Sequence, residues 1–476
     1  MTEPLAPEEL AAALRDLMSW AAAHAPAEES PLRTRLREHL GCDPSELPVV
    51  SRQFREWERA NLQVALDAYL EAGGREHAYH GLPAQRGWHM GLAELAQTPE
   101  RGPRGVVMAG PRASPQEHVT VAVGERTIVC VAAGLFTIAE GERRLVAMVR
   151  NDQQGPRGGA LVLEAMARSR GDAEEFLAEI ARLMSAHNVY RGRILEVAGV
   201  GPLGLALEVR NLPAVQRDGI VLPAGVLERI ERHTVEFAEQ AERLREAGRH
   251  VKRGLLLHGP PGTGKTLTAM YIANRMPGRT VLILTGAGLH AIGPACAMAR
   301  SLAPSMVVLE DVDLVALDRD EHQSNALLFE LLNEMDGMQE DLDVVFVLTT
   351  NRPDRLEPAL AARPGRVDLA VELPLPDAPG RAALIDLYAR GMELRAGDLT
   401  GAVARTEGVS PAFIRELLRR AALLASEGTT GPLVVEGSHL DAALDELTSE
   451  RSSLTGRLLG RDAGAGGLPA QPPGTP

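Results

Sequence analysis

The chain has 476 residues, a length typical of about three domains, and 45% of them are apolar, which suffices for cores of ordinary size. Its net charge of −14 gives no general attraction to a phosphate backbone, which disfavours a non-specific nucleic-acid binder. The sequence favours the cytosol. Its three cysteines are dispersed, it has no apolar run near the roughly 18 residues of a membrane span, and its acidic start is unlike a signal peptide.

The first hundred residues are predicted to be mainly helical. Leu10, Leu14 and Leu17 recur at helical spacing, and a second helical run follows Ser51. Three histidines come after this run, but their spacing fits no common metal-ligand frame, so scattered histidines are the favoured interpretation. We therefore assign residues 1–100 to a helical N-terminal region.

From about residue 104 the pattern changes to short β-rich runs. HVTVAVG alternates in polarity, and TIVCVAAGLFTIAEG, RRLVAMVR and ALVLEAMA are longer apolar runs. A helix with Asp172 as its expected N-cap follows, and then RGRILEV and LGLALEVR. Together they predict a small α+β domain over residues 101–215, with no combination of acid, base and nucleophile that indicates its ligand.

A helix is predicted from about Ala224 to Gly248, and GLLLHGPPGTGKT follows at residues 254–266. The apolar start is a buried strand, and the glycines let the backbone curl so that successive N–H groups form a nest for phosphate oxygens. Lys265 adds a mobile charge for the outer phosphates, and the Thr266 hydroxyl suits a phosphate-bound Mg²⁺. The predicted nucleotide-binding residues are Gly259, Pro260, Pro261, Gly262, Thr263, Gly264, Lys265, Thr266 and Leu267.

The basic composition gives independent support for this loop. Of the 50 basic residues only Lys252 and Lys265 are lysines, and the other 48 are arginines. The planar fork of arginine is larger than an ammonium and would not fit a closed phosphate cradle. A lysine at position 265 therefore indicates a chemical requirement.

Strands and helices alternate beyond the loop. VLILTG, MVVLE and VVFVLTT are apolar runs separated by helical segments, which is typical of a parallel sheet covered on both faces. Glu310 and Asp311 follow the second of these, where one carboxylate can hold Mg²⁺ and the next can orient an attacking water. Asn351 follows the third and is placed to contact a γ-phosphate or that water.

Five motifs together resemble the AAA family of ring-forming ATPases. They are GPPGTGKT, the acidic strand tip, NEMDG at 333–337, TTNRPD at 349–354 and RPGR at 363–366. The resemblance covers roughly residues 216–450. It implies an α/β fold in which a P-loop AAA module, with a parallel-sheet core at 216–376 and a helical lid at 377–450, follows the two N-terminal regions.

The resemblance implies a role for each motif residue of the core. Lys265 and Thr266 would be the Walker A pair, Glu310 and Asp311 the Walker B pair, and Asn351 sensor 1. ATP and Mg²⁺ would be the cofactors, with Thr266 and Glu310 on the metal. Most relatives have Asp before Glu, and the reverse order resembles the branch of the mitochondrial Rieske-protein translocase. The reversed order makes the metal ligand, Glu310, one methylene longer and the water-orienting side chain, Asp311, one methylene shorter. Because these two changes are opposite, we expect hydrolysis to survive, either at an ordinary or at a reduced rate.

Arg363 and Arg366 would be the arginine fingers that the resemblance implies. Fingers of this kind are offered to the ATP of a neighbouring subunit, so the resemblance also implies an oligomer, most often a hexamer. PALAARPGR is one residue longer than the usual PALLRPGR. Arg366, after the glycine, is therefore the preferred finger.

A third departure concerns the loop after the second core strand. Family members that thread polypeptide carry an aromatic-hydrophobic-Gly loop there, whereas this chain has LHAIG at 289–293, with Ala291 at the aromatic position. Either His290 and Ile292 line a pore, or the protein moves its partners by domain motion. A surface turn without a substrate role is the third interpretation.

The region after Asp377 is predicted as short helices and resembles the AAA lid. Ala412 stands near the position of the sensor 2 arginine, which classical members lack. Arg415 is either a partial substitute or part of a solvated helix face, and the second interpretation is favoured. The tail at 451–476 lacks apolar residues and is expected to be disordered.

Two functions of different classes remain open from the sequence. The first is a ring-forming, Mg-dependent ATP hydrolase that remodels proteins, with its N-terminal region engaging a protein substrate or adaptor. The second is a nucleotide-gated binding module that hydrolyses ATP slowly, as the swapped carboxylates and the missing aromatic suggest. The acidity disfavours a nucleic-acid motor, and the chain has no HExxH motif of a membrane-anchored AAA protease.

Overall fold

The structure is a computed structural model. It describes residues 11–17, 20, 30–82, 90–97, 114–152, 160–201, 204–211, 213–313, 330–336, 342–354, 367–395, 397, 399–427 and 432–448. The chain divides into two compact units, Met1–Val189 with Val200–Ala206 and Tyr190–Gly199 with Leu207–Pro476.

The first unit is built on a six-stranded antiparallel sheet. Five strands have the order β1-β6-β5-β4-β2, and β3 pairs with β4. The strands are β1 (Val49–Arg55), β2 (Glu76–Gly81), β3 (Glu117–Val123), β4 (Arg126–Glu140), β5 (Arg143–Asp152) and β6 (Ala160–Ala167).

Helices cover both faces of this sheet because successive strand residues point to opposite sides. Leu145, Ala147 and Val149 of β5 pack in one core, whereas Val146 and Met148 pack in another. Two longer helices contribute to the first core and two shorter ones to the second. In chain order the four helices are α1 (Pro31–Leu40), α2 (Arg59–Glu71), α3 (Leu92–Ala96) and α4 (Arg170–Ala186).

The structure differs from the predicted helical region at residues 1–100. Strand β1 pairs with β6 along its whole length, and β2 pairs with β4, so both belong to the α+β fold. Only Phe54 of β1 is buried, so the strand lacks the alternation that would reveal it. Helix α4 begins at Arg170 with Ser169 as its N-cap, and Asp172 lies in its first turn.

The second unit contains a seven-stranded sheet of order β13-β9-β12-β11-β10-β7-β8. The pairs from β13 to β7 are parallel, and every residue of β10, β11 and β12 is buried. This confirms the parallel sheet predicted from the apolar runs. The strands are β7 (Ile194–Gly201), β8 (Gly204–Arg210), β9 (Arg253–His258), β10 (Thr280–Leu284), β11 (Ser305–Leu309), β12 (Val344–Thr350) and β13 (Leu369–Glu372).

Strands β7 and β8 lie in this second sheet and not in the α+β domain predicted to end at residue 215. Strand β7 pairs with β10 from Ile194 opposite Val281 to Val197 opposite Leu284. A Cβ on Gly288 would lie 2.0 Å from the carbonyl oxygen of Val197, so the loop after β10 packs directly on β7. Residue pattern predicted the strands, but it does not encode which sheet edge they join.

The helices around the sheet begin close to the predicted positions. The expected helix at 224–248 is interrupted by a π-turn at Arg232–Glu236 and ends its first part before Gln240. The helices are α5 (Val226–Glu231), α6 (Phe237–Glu239), α7 (Ala241–Glu246), α8 (Lys265–Arg275) and α9 (Ile292–Ser301), with residues 330–336 also helical.

The C-terminal part of the second unit forms a small helical subdomain with its own core. The predicted apolar stripe of the longest helix, which includes Ile414, Leu417 and Leu418, is buried there. The predicted tail at 451–476 lies outside the described residues. The elements are α10 (Ala378–Tyr388), α11 (Thr400–Arg405), α12 (Pro411–Ser426), α13 (Gly437–Thr448) and the paired strands β14 (Glu393–Arg395) and β15 (Val434–Glu436).

The cysteines are free thiols, as expected for packing residues. Burial raises the pKa of Cys130 to about 11 and that of Cys296 to about 12, so neither is an activated nucleophile. In the described ranges, no helix combines the length and the apolar character that crossing a bilayer requires.

Candidate functional site

The glycine-rich loop connects the end of β9 at His258 to the start of α8 at Lys265. Gly259, with a φ of 144°, needs to be glycine because a Cβ there would lie 2.3 Å from the carbonyl oxygen of Leu373. Gly264 adopts a φ of 95° and is the N-cap of α8. The loop therefore curls before the helix begins and presents backbone N–H groups at a helix N-terminus.

The Lys265 side chain is folded back over this loop. It is 6% exposed, and its Nζ donates 2.9 Å hydrogen bonds to the carbonyl oxygens of Gly259 and Pro260. Burial lowers the pKa of Lys265, and the nearby carboxylates of Asp311 and Asp313 oppose that change. The ammonium is thus held beside the loop by two of its three donors.

The loop opens onto a cavity of about 500 Å³. Polar groups in its wall include Lys265, Thr266, Asp311 and Asn351. The wall also has an apolar part, to which the segment before α5 and the first lid helix contribute. These apolar residues are Ile220, Val221, Leu222, Leu384 and Tyr388. One cavity therefore combines a phosphate cradle with a surface suited to a flat base, which is the chemistry of a nucleoside triphosphate.

Glu310 stands directly after the buried strand β11. Its carboxylate lies beside the Thr266 side chain, and its Oε1 is buried without a hydrogen-bond partner among the described residues. Burial raises the pKa of Glu310, and the neighbouring Thr266 hydroxyl opposes this rise. An unsatisfied carboxylate oxygen beside a hydroxyl fits a hard divalent cation such as Mg²⁺.

Asp311 is held in an unusual backbone conformation beside Asn351. Its φ is 48°, in the left-handed region that aspartate tolerates better than most residues. Its N–H donates to the Thr349 hydroxyl at 2.9 Å, and its Oδ1 accepts from Asn351 Nδ2 at 3.0 Å. The carboxylate and the amide predicted to act on water are therefore in direct contact.

The structure brings most of the predicted site residues together. Seven of the nine predicted loop residues, 261–267, line the cavity with Asp311 and Asn351, and Glu310 reaches it through Thr266. The predicted fingers Arg363 and Arg366 lie outside the described residues.

The lid contributes contacts that the sequence indicated only weakly. The Ala412 N–H donates a 3.2 Å hydrogen bond to the Gly262 carbonyl, so helix α12 begins directly against the phosphate loop. Arg415 lines the cavity one turn later, as does Tyr388 of α10. The sequence signals are the resemblance to the AAA lid, which puts Ala412 near the sensor 2 position, and the spacing of three residues that places Ala412 and Arg415 on one helix face.

The loop at 289–293 does not present both residues proposed for a pore. Ile292 is 2% exposed and Ala291 is fully buried in the protomer, whereas His290 is exposed. The alternative in which His290 and Ile292 together line a pore is therefore wrong, because Ile292 begins α9 and packs in the core.

Residues 255–375 match the model of the ATPase family associated with various cellular activities (AAA). The chain is 35% identical over 254 residues to the ATP-dependent zinc metalloprotease FtsH 3 of Sphaerobacter thermophilus, covering 50% of this chain and 51% of that protein. It is 32% identical over 251 residues to the proteasome-activating nucleotidase of Pyrococcus furiosus, covering 49% and 62%.

The chain thus spans about half to three fifths of the length of these relatives. The match begins within β9 and covers the glycine-rich loop and strands β10 to β13, whereas β7, β8 and the N-terminal α+β fold lie outside it. The motif residues agree with the same assignment. Residues 255–375 therefore form a domain of the AAA ATPase type.

Proposed function

We propose that this protein is a Mg-dependent ATP hydrolase that assembles into a ring and remodels protein partners. The carrying observation is that the Glu310–Thr266 pair and the Asp311–Asn351 pair flank the same phosphate loop. One pair is suited to a metal and the other to a water molecule. Hydrolysis of a phosphoanhydride needs both beside the bound phosphates.

The phosphates are bound by the loop amides and by Lys265. The amides at the start of α8 carry the partial positive charge of the helix dipole, which favours phosphate oxygens. Lys265 is already held beside the loop, so little side-chain entropy is lost when it contacts the outer phosphates.

Thr266 and Glu310 would hold Mg²⁺ in this site. A metal held there would supply positive charge that neutralises the phosphates. The buried Oε1 of Glu310, which has no hydrogen-bond partner among the described residues, would then gain one.

Asp311 orients the attacking water with the help of Asn351. One oxygen of Asp311 accepts from the Asn351 amide, which leaves the other to accept a hydrogen bond from water. The left-handed backbone and the bond from Asp311 N–H to Thr349 fix where that second oxygen points. Water would thereby be oriented before the reaction begins, which lowers the cost of reaching the transition state.

The neighbouring subunit would supply the remaining positive charge through Arg366 or Arg363. This part of the proposal is supported by the RPGR motif. Fingers of this kind contribute about 10³ to 10⁵ in rate. The ring, its size and the use of the N-terminal unit to engage a protein substrate or adaptor in the cytoplasm belong to the same proposal.

A slowly hydrolysing, nucleotide-gated module is the second candidate. Asp311 is one methylene shorter than the glutamate found at this position in most relatives, and one of its oxygens is occupied by Asn351. Both features favour tight binding over fast turnover.

Two variants separate nucleotide binding from hydrolysis. Lys265→Ala should abolish both, whereas Asp311→Asn should retain ATP binding and lose phosphate release. Asp445→Asn, an exposed carboxylate paired with Arg405, is the control and should behave as wild type. Equal phosphate release from Asp311→Asn and the wild-type protein would overturn the role of Asp311. The ATP-loaded Asp311→Asn protein should also retain protein partners in a pull-down.

A further inference from the structure

A buried carboxylate outside the cavity is bonded to the strand end that carries Asn351. Asp313 is 4% exposed and lies two residues beyond Asp311. Its Oδ1 accepts a 2.8 Å hydrogen bond from the Thr350 hydroxyl and a 3.0 Å hydrogen bond from the N–H of Asn351. One oxygen therefore fixes two successive residues of the segment after β12.

The sheet itself does not orient Asn351. The pairing of β12 with β11 ends at Leu348, and its pairing with β9 ends at Thr350. Asn351 lies three residues beyond the first ladder and one residue beyond the second, so its backbone direction depends on contacts other than strand pairing. The Asp313 carboxylate supplies such a contact on the Asn351 N–H.

These bonds continue to the residue proposed to orient water. Asn351 is bonded at its N–H to Asp313 and at its side-chain amide to Asp311. Thr350 Oγ1 also accepts from the N–H of Arg352 at 3.0 Å, which fixes the other side of Asn351. Asp313 and Thr350 thus determine where the Asn351 amide meets Asp311.

The free-energy cost of burying the Asp313 carboxylate indicates that this side chain has a structural or functional role. Among the described residues Asp313 forms no ion pair within 4 Å, although a buried carboxylate is costly to desolvate. Hydrogen bonds to an ionised acceptor are about twice as strong as neutral ones, and both recorded bonds to Oδ1 come from the sensor segment. The charge is therefore used to hold this segment rigidly.

We propose that Asp313, acting with the Thr350 hydroxyl, is a positioning residue for hydrolysis that sets the Asn351 amide against Asp311. This rests on the proposed ATPase function. Neither residue lines the cavity, so they should affect the chemical step more than nucleotide binding. A displacement of about 1 Å in such a network can cost about a hundredfold in rate.

The test uses Thr350→Val, Thr350→Ser and Asp313→Ala in the full chain. Thr350→Val and Asp313→Ala should lower kcat at least about tenfold, with KM and ATP affinity within about threefold of wild type. Thr350→Ser keeps the hydroxyl and should restore kcat to within about threefold. Thr234→Val removes another buried hydroxyl, which donates to the Ile230 carbonyl four residues earlier in the chain, and should lower thermal stability without lowering kcat.

A double variant separates positioning from general weakening. If Thr350 acts through Asn351, the double variant Thr350→Val with Asn351→Ala should be no slower than Asn351→Ala alone. The inference would be overturned if the losses of kcat in the two single variants multiplied in the double variant, or if Thr350→Val had the wild-type kcat. Either result would leave the proposed function intact. If Thr350→Val does not fold, Asp313→Asn, alone and combined with Asn351→Ala, carries the same comparison. A wild-type protein that binds ATP without turnover would overturn both.

Discussion

The side-chain amide of Asn351 donates a 3.0 Å hydrogen bond to Oδ1 of Asp311. The two residues follow β12 and β11, which are parallel neighbours, so their tips meet at the same edge of the sheet. Asp311 reaches this position with a φ of 48°. A carboxylate shorter than the usual glutamate is thus oriented by both its backbone and its neighbour.

Removal of the Asn351 amide should slow hydrolysis without preventing binding. Asn351→Ala frees Asp311 Oδ1 and should lower kcat by roughly 10² to 10³, the range for loss of one oriented polar group. Asn351→Asp should be slower still, because it places two carboxylates in contact. Phosphate release and ATP affinity measured on the same preparations test this. A wild-type kcat in Asn351→Ala would contradict it.

Glu310→Gln should stabilise the metal-free protein while it abolishes turnover. Burial raises the pKa of Glu310, so its stability contribution is complete below the unfolded pKa and is lost as pH rises through the folded pKa. At neutral pH the variant therefore avoids an unpaired buried charge. Its Tm should exceed that of wild type by about 2 to 4 °C for each kcal/mol gained.

The pH dependence supplies the control for this effect. Near pH 4, at about the ordinary pKa of a glutamate, the difference in Tm should shrink because the wild-type carboxyl is protonated as well. Mg²⁺ with ATP should stabilise the wild-type protein more than Glu310→Gln. A lower Tm for the variant at neutral pH would show that Oε1 is not a buried, unsatisfied group.

Arg415→Ala should weaken nucleotide binding modestly. Arg415 lines the cavity, and its guanidinium is exposed, so its attraction for a phosphate is screened by water. We expect up to about a fivefold loss of ATP affinity, from the 0.2 to 1 kcal/mol typical of exposed pairs. Arg419→Ala, one turn along the helix and paired with Glu416, is the matched control. Equal affinities in the two variants would assign Arg415 to a solvated face only.

Gly288→Ala should destabilise the second unit. The new Cβ would lie 2.0 Å from the carbonyl oxygen of Val197, which belongs to the backbone of a paired strand and cannot move without a cost in free energy. Overpacking of this type costs about 1 to 3 kcal/mol. Gly401→Ala meets nothing within 4 Å in helix α11 and should be neutral or stabilising. Equal Tm values for the two variants would contradict the packing of β7 against this loop.

The sequence predicts those parts of the site whose residues belong to short motifs of fixed spacing. The phosphate loop, Glu310, Asp311 and Asn351 are predicted from the sequence to lie together, because strand ends in a parallel sheet meet at one edge and motif spacing is fixed, and their roles stay predictions. The lid stripe at 414–418 followed from helical periodicity for the same local reason.

Features that depend on long-range pairing escaped the sequence. Strand β1 has a single buried residue and no alternation, and the partner of β7 is decided by an open edge at β10. Asp313 resembles any acidic residue after a strand until its bonds to Thr350 and Asn351 are seen. The roles of Arg363 and Arg366 stay predictions.

The most direct measurement of the central claim is phosphate release per subunit across protein concentrations, with oligomeric state recorded in the same ATP and Mg²⁺ buffer. Because the neighbouring subunit is proposed to complete each site, turnover per subunit should rise as the protein assembles. Arg366→Ala should bind ATP and assemble without that rise. A monomer that hydrolyses ATP at the full rate at every concentration would contradict the account.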